Sequence, residues 1–240
     1  MYEKRFYRDY MTIESYVKFT VVEKESDLQF IARKNLYDEA LDSIRKYRKM
    51  ITDYIARDKS FLTSLCPIEI SEHAPEIVRQ MGEAAFKAGV GPMAAVAGAI
   101  SEYVCRDLLH DSDEILAENG GDIYMNFKSP KKVLVYAGNS PFSNKLAVNI
   151  PAELMPLGVC TSAGTVGHSL SFGKADAVMV LSKDTLLADA AATSIGNKVK
   201  SASDISSALE YARTIDDIIG VLIIIGDKMG AWGEISLCSP

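Results

Sequence analysis

The stretch ILAENGGDIYMNFKSPKKVLVYAGNSPFSNKLAVNI, Ile115 to Ile150, decides the fold class. It divides into three apolar segments, Ala117–Phe127, Lys131–Gly138 and Lys145–Ile150, with turn chemistry at Lys128–Pro130 and Gly138–Pro141. Short apolar runs bounded by Gly, Pro, Asn and Ser read as strands. No helical pattern separates them, so they do not belong to a steady β-α-β alternation.

The segments on either side support this. Upstream, Thr12–Val22 and Leu28–Ala32 read as strands, with a turn in the acidic stretch Glu23–Asp27. A helix follows over Leu36–Arg57, where Leu36, Ala40, Leu41, Ile44, Tyr47, Ile51, Tyr54 and Ile55 form one apolar stripe. Asn35 is its expected N-cap. A second helix is predicted over Pro75–Ala88, with Pro75 suited to its first turn and Gly89 to its stop. A third begins at Pro92, PMAAVAGAISEYVCRDLL, and its Ala- and Gly-rich first half favours close packing of another backbone over ligand contact. Downstream lie a Gly-, Ser- and Thr-rich loop from Thr161 to Gly173, a strand at Ala175–Leu181, and helices at Thr185–Asn197 and Ser203–Ala212. The end reads as a hairpin, VLIIIGD and AWGEISLC, turning near Met229–Gly230. Strands, helices, strands, helices, strands is the order of an α+β fold with a mostly antiparallel sheet. One domain over 1–240 is expected, with room for a structural duplication.

Composition narrows the function. The chain has 240 residues, 48% hydrophobic and 24% charged, with net charge -6. A nucleic-acid binder presents a basic face, and this chain does not supply one. One small anion can still bind to a local ring of backbone N–H groups. Met1 to Tyr10 is charged and aromatic, without the apolar core of an export signal. The most apolar run, Ile218 to Ile225, is strand length, far below the ~20 residues of a spanning helix. Cys66, Cys105, Cys160 and Cys238 include no CxxC pair, which favours reduced thiols in a cytoplasm. The exposed C-terminal hairpin and the Ala/Gly helix leave room for a homodimer.

Two glycine-rich matches are set aside. Gly89–Ala94 satisfies GxGxxA but follows a helix and carries Pro92, whereas a dinucleotide fingerprint follows a strand. Gly167–Lys174 imitates a phosphate loop with the wrong spacing.

Four features carry chemistry. Asn119-Gly120-Gly121-Asp122 allows close backbone approach, with N–H groups free for an anion and a carboxylate beside them; the plainer alternative is a turn into a strand. Thr161-Ser162-Ala163-Gly164 opens a hydroxyl-rich loop suited to phosphate or ribose, or merely a loop. His168 ends that loop and is an acid–base candidate or a surface residue. Asp189 and Thr193, four apart on a predicted helix, put two hard oxygens suited to magnesium on one face. The alternative is a helix acid with Thr193 bonded to its own turn.

These four features stand in the order seen in the ApbE family of flavin transferases, which the chain resembles. That family carries a Gly-Gly-Asp turn, a strand ending in Thr-Ser-Gly, a histidine motif and an Ala-Asp-x-x-x-Thr helix. The counterparts are Gly120-Gly121-Asp122, Thr161-Ser162 with Gly164, His168, and Ala188-Asp189 with Thr193. Gly91–Ala99 and Gly158–Ser169 resemble the cytoplasmic, uncharacterised branch found in archaea and anaerobic bacteria.

The resemblance implies a two-layer α/β sandwich of T-fold-like duplicated halves, about 1–112 and 113–240. In the transferases FAD is cleaved with magnesium, and FMN passes to a Ser or Thr of a target protein. Carried over, Asp189 and Thr193 hold the metal, Asn119, Gly120, Gly121 and Asp122 touch the nucleotide, Thr161, Ser162 and Gly164 line the site, and His168 is the base. The family's histidine motif continues His-x-x-Asp-Pro-x-Thr-Gly, whereas here Ser169-Leu170-Ser171-Phe172-Gly173-Lys174 follows. The resemblance therefore implies binding of FAD or a related nucleotide with Mg more strongly than FMN transfer. The branch is also linked to sulfide assimilation and homocysteine formation. That suggests a non-catalytic protein partner in sulfur metabolism, or a persulfide carried on Cys160, for which a small buried strand residue is the favoured reading.

Overall fold

The computed structural model describes residues 15–164 and 172–240. The first hairpin pairs β1 (Val17–Glu23) with β2 (Ser26–Ala32), and Glu23 sits opposite Ser26, so the turn is tighter than the acidic stretch suggested. Helix α1 (Tyr37–Arg57) buries Ala40, Ile44, Tyr47, Ile51 and Tyr54, the stripe read from the sequence. Asn35 Oδ1 accepts a hydrogen bond from Tyr37 N at 3.1 Å, while Leu36 occupies the boundary position itself. A single turn, α2 (Ser60–Thr63), follows and was not anticipated; four residues are too few to display a period. Helix α3 (Glu76–Ala88) stops at Gly89, whose N–H bonds back to Ala85 and Phe86. A 3-10 turn over Pro92–Ala95 leads into α4 (Val96–Leu108).

The decisive stretch then forms β3 (Ile115–Asn119), β4 (Asp122–Asn126), β5 (Lys131–Leu134) and β6 (Ala147–Ile150). After it come β7 (Leu157–Ser162), β8 (Ala177–Ser182), α5 (Thr185–Lys198), α6 (Ile205–Ala212), β9 (Ile218–Ile225), β10 (Lys228–Gly233) and β11 (Ser236–Cys238). The last hairpin turns at Gly226–Asp227, because Lys228 already pairs with Ile225. The expected turn at Met229–Gly230 is strand: Gly230 opens space for Ile205 and Leu209 of α6, not for a bend.

The main sheet has eight strands in the order β1-β2-β3-β4-β7-β8-β9-β10, and each neighbouring pair is antiparallel. Strand-strand-helices-strand-strand occurs twice along the chain, as β1β2…β3β4 and β7β8…β9β10. The helices cover one face, giving the α+β sandwich expected. The other face is covered by a small sheet, β11-β6-β5. Alternate residues of β8 serve the two sides: Val178 and Val180 join the helical core, whereas Met179 and Leu181 pack with Val148 and Ile150. Burial on both faces is why these strands read as continuous apolar runs.

Among the described residues no single helix is long and apolar enough to cross a membrane. All four cysteines are free. The architecture brings the β3–β4 turn, the end of β7 and the first turn of α4 to one place.

Candidate functional site

Asn119 pairs with Asp122 across the β3–β4 hairpin, leaving Gly120 and Gly121 as a two-residue turn. Their φ values of 70° and 103° are ones that side chains other than glycine resist. The Gly-Gly-Asp signature is therefore a hairpin turn plus the first residue of β4. Its N–H groups are not all open to an anion, because Gly121 N donates to Glu118 Oε1 at 2.8 Å. That corrects the sequence reading: a carboxylate of the same hairpin already takes one of the amides. Asn119 Nδ2 reaches Ala97 O at 3.3 Å, tying the turn to α4. Strand β7 lies alongside, with Thr161 N donating to Gly121 O at 3.2 Å and Cys160 opposite Asp122.

Helix α5 brings the second carboxylate. Asp184 caps it, accepting from Leu187 N at 3.1 Å. One turn in, Asp189 points at the N-terminus of α4, where Gly98 N donates to Oδ2 at 2.8 Å and the Ala97 N–H adds a second bond. A methyl group at Gly98 would sit 2.5 Å from Thr185 O and 2.9 Å from Asp189 Cβ, so only glycine permits this approach. The Ala/Gly half of α4 is thus a close-packing surface, as favoured from sequence. Glu102, on the same helix, accepts from Thr185 N at 2.9 Å. Burial pushes its carboxyl up, with the Thr185 amide bond pulling the other way.

Asp122 and Asp189 are both 8% exposed. Burial pushes the Asp122 carboxyl well up, and the nearby charges of Asp189 and Glu118 push it further. Burial likewise raises Asp189, to about 7, against the pull of the Gly98 and Ala97 amides. Burial and the neighbouring carboxylates therefore favour the protonated form of Asp122, while bonds to the Cys160 side chain and the Thr161 backbone pull the other way. Cys160 is fully buried against them; its Sγ donates to Thr185 O at 3.5 Å. Burial, then Asp122 and Asp189, push its thiol well above the ordinary value. A reactive thiolate needs the opposite environment.

The remaining sequence candidates fall into two groups. Thr161, Ser162 and Gly164 end β7 and begin the loop, all short of full burial. Gly164 N bonds to Ala175 O at 2.8 Å, and Gly164, Gly173 and Gly196 lie in backbone contact. Both ends of the loop therefore rest on α5 at Gly196, and Thr193 is half-buried one turn after Asp189. His168 lies outside the described residues. Sequence reasoning missed Glu118 and Glu102, since a single glutamate on a strand or helix carries no spacing signal.

The donor set suits a hard cation in kind: two buried carboxylates and nearby hydroxyl oxygens. No three of His, Cys, Asp and Glu converge among the described residues, so no complete protein cage is present. That is the usual arrangement for magnesium, which takes one or two carboxylates and completes its shell with water and phosphate.

A family model described as AbpE bacteria matches residues 8–228. A UPF0280 protein of Methanococcus maripaludis is 46% identical over 201 residues, covering 82% of this chain and 81% of that protein. One from Methanocaldococcus jannaschii is 40% identical over 223 residues, covering 91% of each. Among solved structures, the Pseudomonas stutzeri flavinyl transferase ApbE in its apo form superposes with TM-score 0.55 at 11% identity, over 90% of this chain and 94% of that one. The ApbE protein of Thermotoga maritima gives TM-score 0.54 at 10% identity, over 90% and 96%.

Proposed function

This chain belongs to the family described as AbpE bacteria and has the fold of the ApbE flavin transferases, and from that premise we propose that it binds FAD or a related phosphorylated nucleotide with magnesium. The observation that carries the reading is the Asp122–Asp189 pair. Two carboxylates from separate strand and helix are gathered in a buried place, and the neighbouring carboxylate, Glu118, adds a third negative charge. Burying like charges together is costly unless a proton or a cation joins them.

In this reading Asp189 and Thr193 hold the cation, with Asp122 beside them. The Gly120–Gly121 turn lets a ligand approach the backbone, and Thr161, Ser162 and Gly164 line the phosphate or ribose side. Magnesium, when bound, supplies a Lewis acid for phosphoester chemistry. The residues themselves orient the ligand and exclude water from the floor formed by Cys160 and Ala97. His168, at the loop, is the proposed base. The chain acts as one domain over 1–240 with two related halves, in the cytoplasm, where its four thiols stay reduced. The solved neighbour named a flavinyl transferase supports the nucleotide class. The buried, raised Cys160 thiol gives a sulfur-carrying role no support.

Thermal shift with FAD, FMN, AMP and ADP, each with and without magnesium, tests the reading. At a hundredfold excess over the dissociation constant a ligand adds about 2.7 kcal/mol of stability. A magnesium-dependent shift with FAD, lost in Asp189→Ala, is expected. No shift with any of the four contradicts it. Incubation with FAD, magnesium and candidate acceptor proteins then separates binding from FMN transfer, which requires a covalent flavin product.

A further inference from the structure

Helices α4 and α5 cap each other. Glu102 of α4 accepts from Thr185 N, the first residue of α5, at 2.9 Å. Asp189 of α5 accepts from Gly98 N, in the first turn of α4, at 2.8 Å. On each helix the carboxylate stands one turn beyond the amide: Gly98 then Glu102, Thr185 then Asp189. The contact thus has a local two-fold pattern, in which each helix offers its partner an N-terminal amide and an acid. The crossing is tight, since a methyl group at Gly98 would lie 2.5 Å from Thr185 O. The Glu102 side chain is only 13% exposed, with Arg106 at 3.5 Å on its outer side. Thr185 is fully buried, and Gly158 of β7 leaves the space it fills.

A carboxylate at a helix N-terminus satisfies an orphan amide and meets the positive end of the helix dipole. Glu102 therefore fixes where α5 begins along α4. Asp189 rides on α5 one turn later, with its carboxylate held by the Gly98 and Ala97 amides. The direction of its oxygens follows from that placement.

We propose that Glu102 is a positioning residue for Asp189, setting the carboxylate that the site presents to a cation. The inference rests on the reading of Asp189 as a ligand-binding residue. It predicts that Glu102 matters to binding although it touches nothing bound.

The test compares wild type, Glu102→Gln, Glu102→Ala and Val221→Ala, the last a buried strand change away from the helix crossing. All are measured at a temperature where circular dichroism shows them folded. One readout is the Gly98 amide resonance and its exchange protection, without metal. The other is magnesium affinity by titration calorimetry. Glu102→Gln keeps an acceptor for Thr185 N–H and should match wild type in both. Glu102→Ala should shift the Gly98 resonance, reduce its protection and weaken magnesium binding at least about tenfold. Val221→Ala should lower Tm and leave both readouts unchanged. If Glu102→Ala lowers Tm but keeps the Gly98 resonance and the affinity, Glu102 is merely structural and the proposal falls. If wild type binds no magnesium, the cation reading fails separately, and the Gly98 resonance alone decides the positioning role. If Glu102→Ala does not fold, Glu102→Asp replaces it: one methylene shorter, it must move the Gly98 resonance, and an unmoved resonance overturns the proposal.

Discussion

Two buried acid sites lie at opposite ends of the β3–β4 hairpin. At the open end, Glu114 is 2% exposed and accepts from Tyr16 Oη at 2.9 Å, from Lys128 N at 2.8 Å and from the Arg33 guanidinium. Arg33 also lies over the Tyr16 ring, 4.5 Å from its centroid. Burial pushes the Glu114 carboxyl up, but the Lys128 amide, the Tyr16 hydroxyl and Arg33 together hold it below the ordinary value. At the turn end, Asp122 and Asp189 are buried too, and both are pushed up. The difference is compensation. Glu114 has a cation and directed donors, so it is a finished structural element. The aspartates receive backbone amides and, at Asp122, a bond to the Cys160 side chain, and none of the main influences on either is a cation. Depth of burial alone would not tell these sites apart; the sign of the shift does.

The largest expected effect is at the Glu114 network. Glu114→Ala leaves the Lys128 amide and the Tyr16 hydroxyl without their acceptor, and should cost about 2 kcal/mol in urea unfolding. Arg33 is 46% exposed, so loss of its ion pair adds little. A change within a few tenths of a kcal/mol would mean that the network does not hold that end of the sheet. Asp122→Asn should move stability the other way, by about 1 kcal/mol at slightly alkaline pH, since it removes one member of the crowded pair.

The pH dependence sharpens the same contrast. Asp189 in the folded protein lies near 7, above its ordinary 3.8. A raised carboxyl means that the folded state holds the proton more tightly than the unfolded chain does. Its stabilising contribution is complete below the ordinary value and is lost as pH rises through about 7. Glu114 has the opposite sign: its contribution is present above its ordinary 4.5 and is lost only in acid. Stability should therefore decline from mildly acidic to mildly alkaline pH in wild type, and more shallowly in Asp122→Asn. An equal slope in both would detach the pair from the titration.

The fold class was legible because turn chemistry and apolar period are local. The stripe of α1, the stop at Gly89 and the strands around Ile115–Ile150 follow from neighbours in sequence. The small sheet was not legible. Val133 and Val148 look like any strand residues, and which sheet they join depends on distant Leu157 and Met179. The last turn was misplaced for a similar reason: Gly230 reads as a bend until α6 is seen packing on it. At the site, motif order singled out Asp122 and Asp189, but not their meeting. Nor did it show that Glu118 occupies the Gly121 amide, or that Glu102 and Asp189 exchange caps. Those relations need α4 and α5 in place.

Magnesium-dependent stability of the protein alone, at about pH 8 and about pH 6, tests the central claim most directly. Millimolar magnesium should raise the urea midpoint at the higher pH, do so less at the lower pH where protons compete for the pair, and do nothing in Asp189→Asn. Midpoints unmoved by magnesium at both pH values would contradict it, leaving Asp122 and Asp189 as a buried acid pair satisfied by a proton.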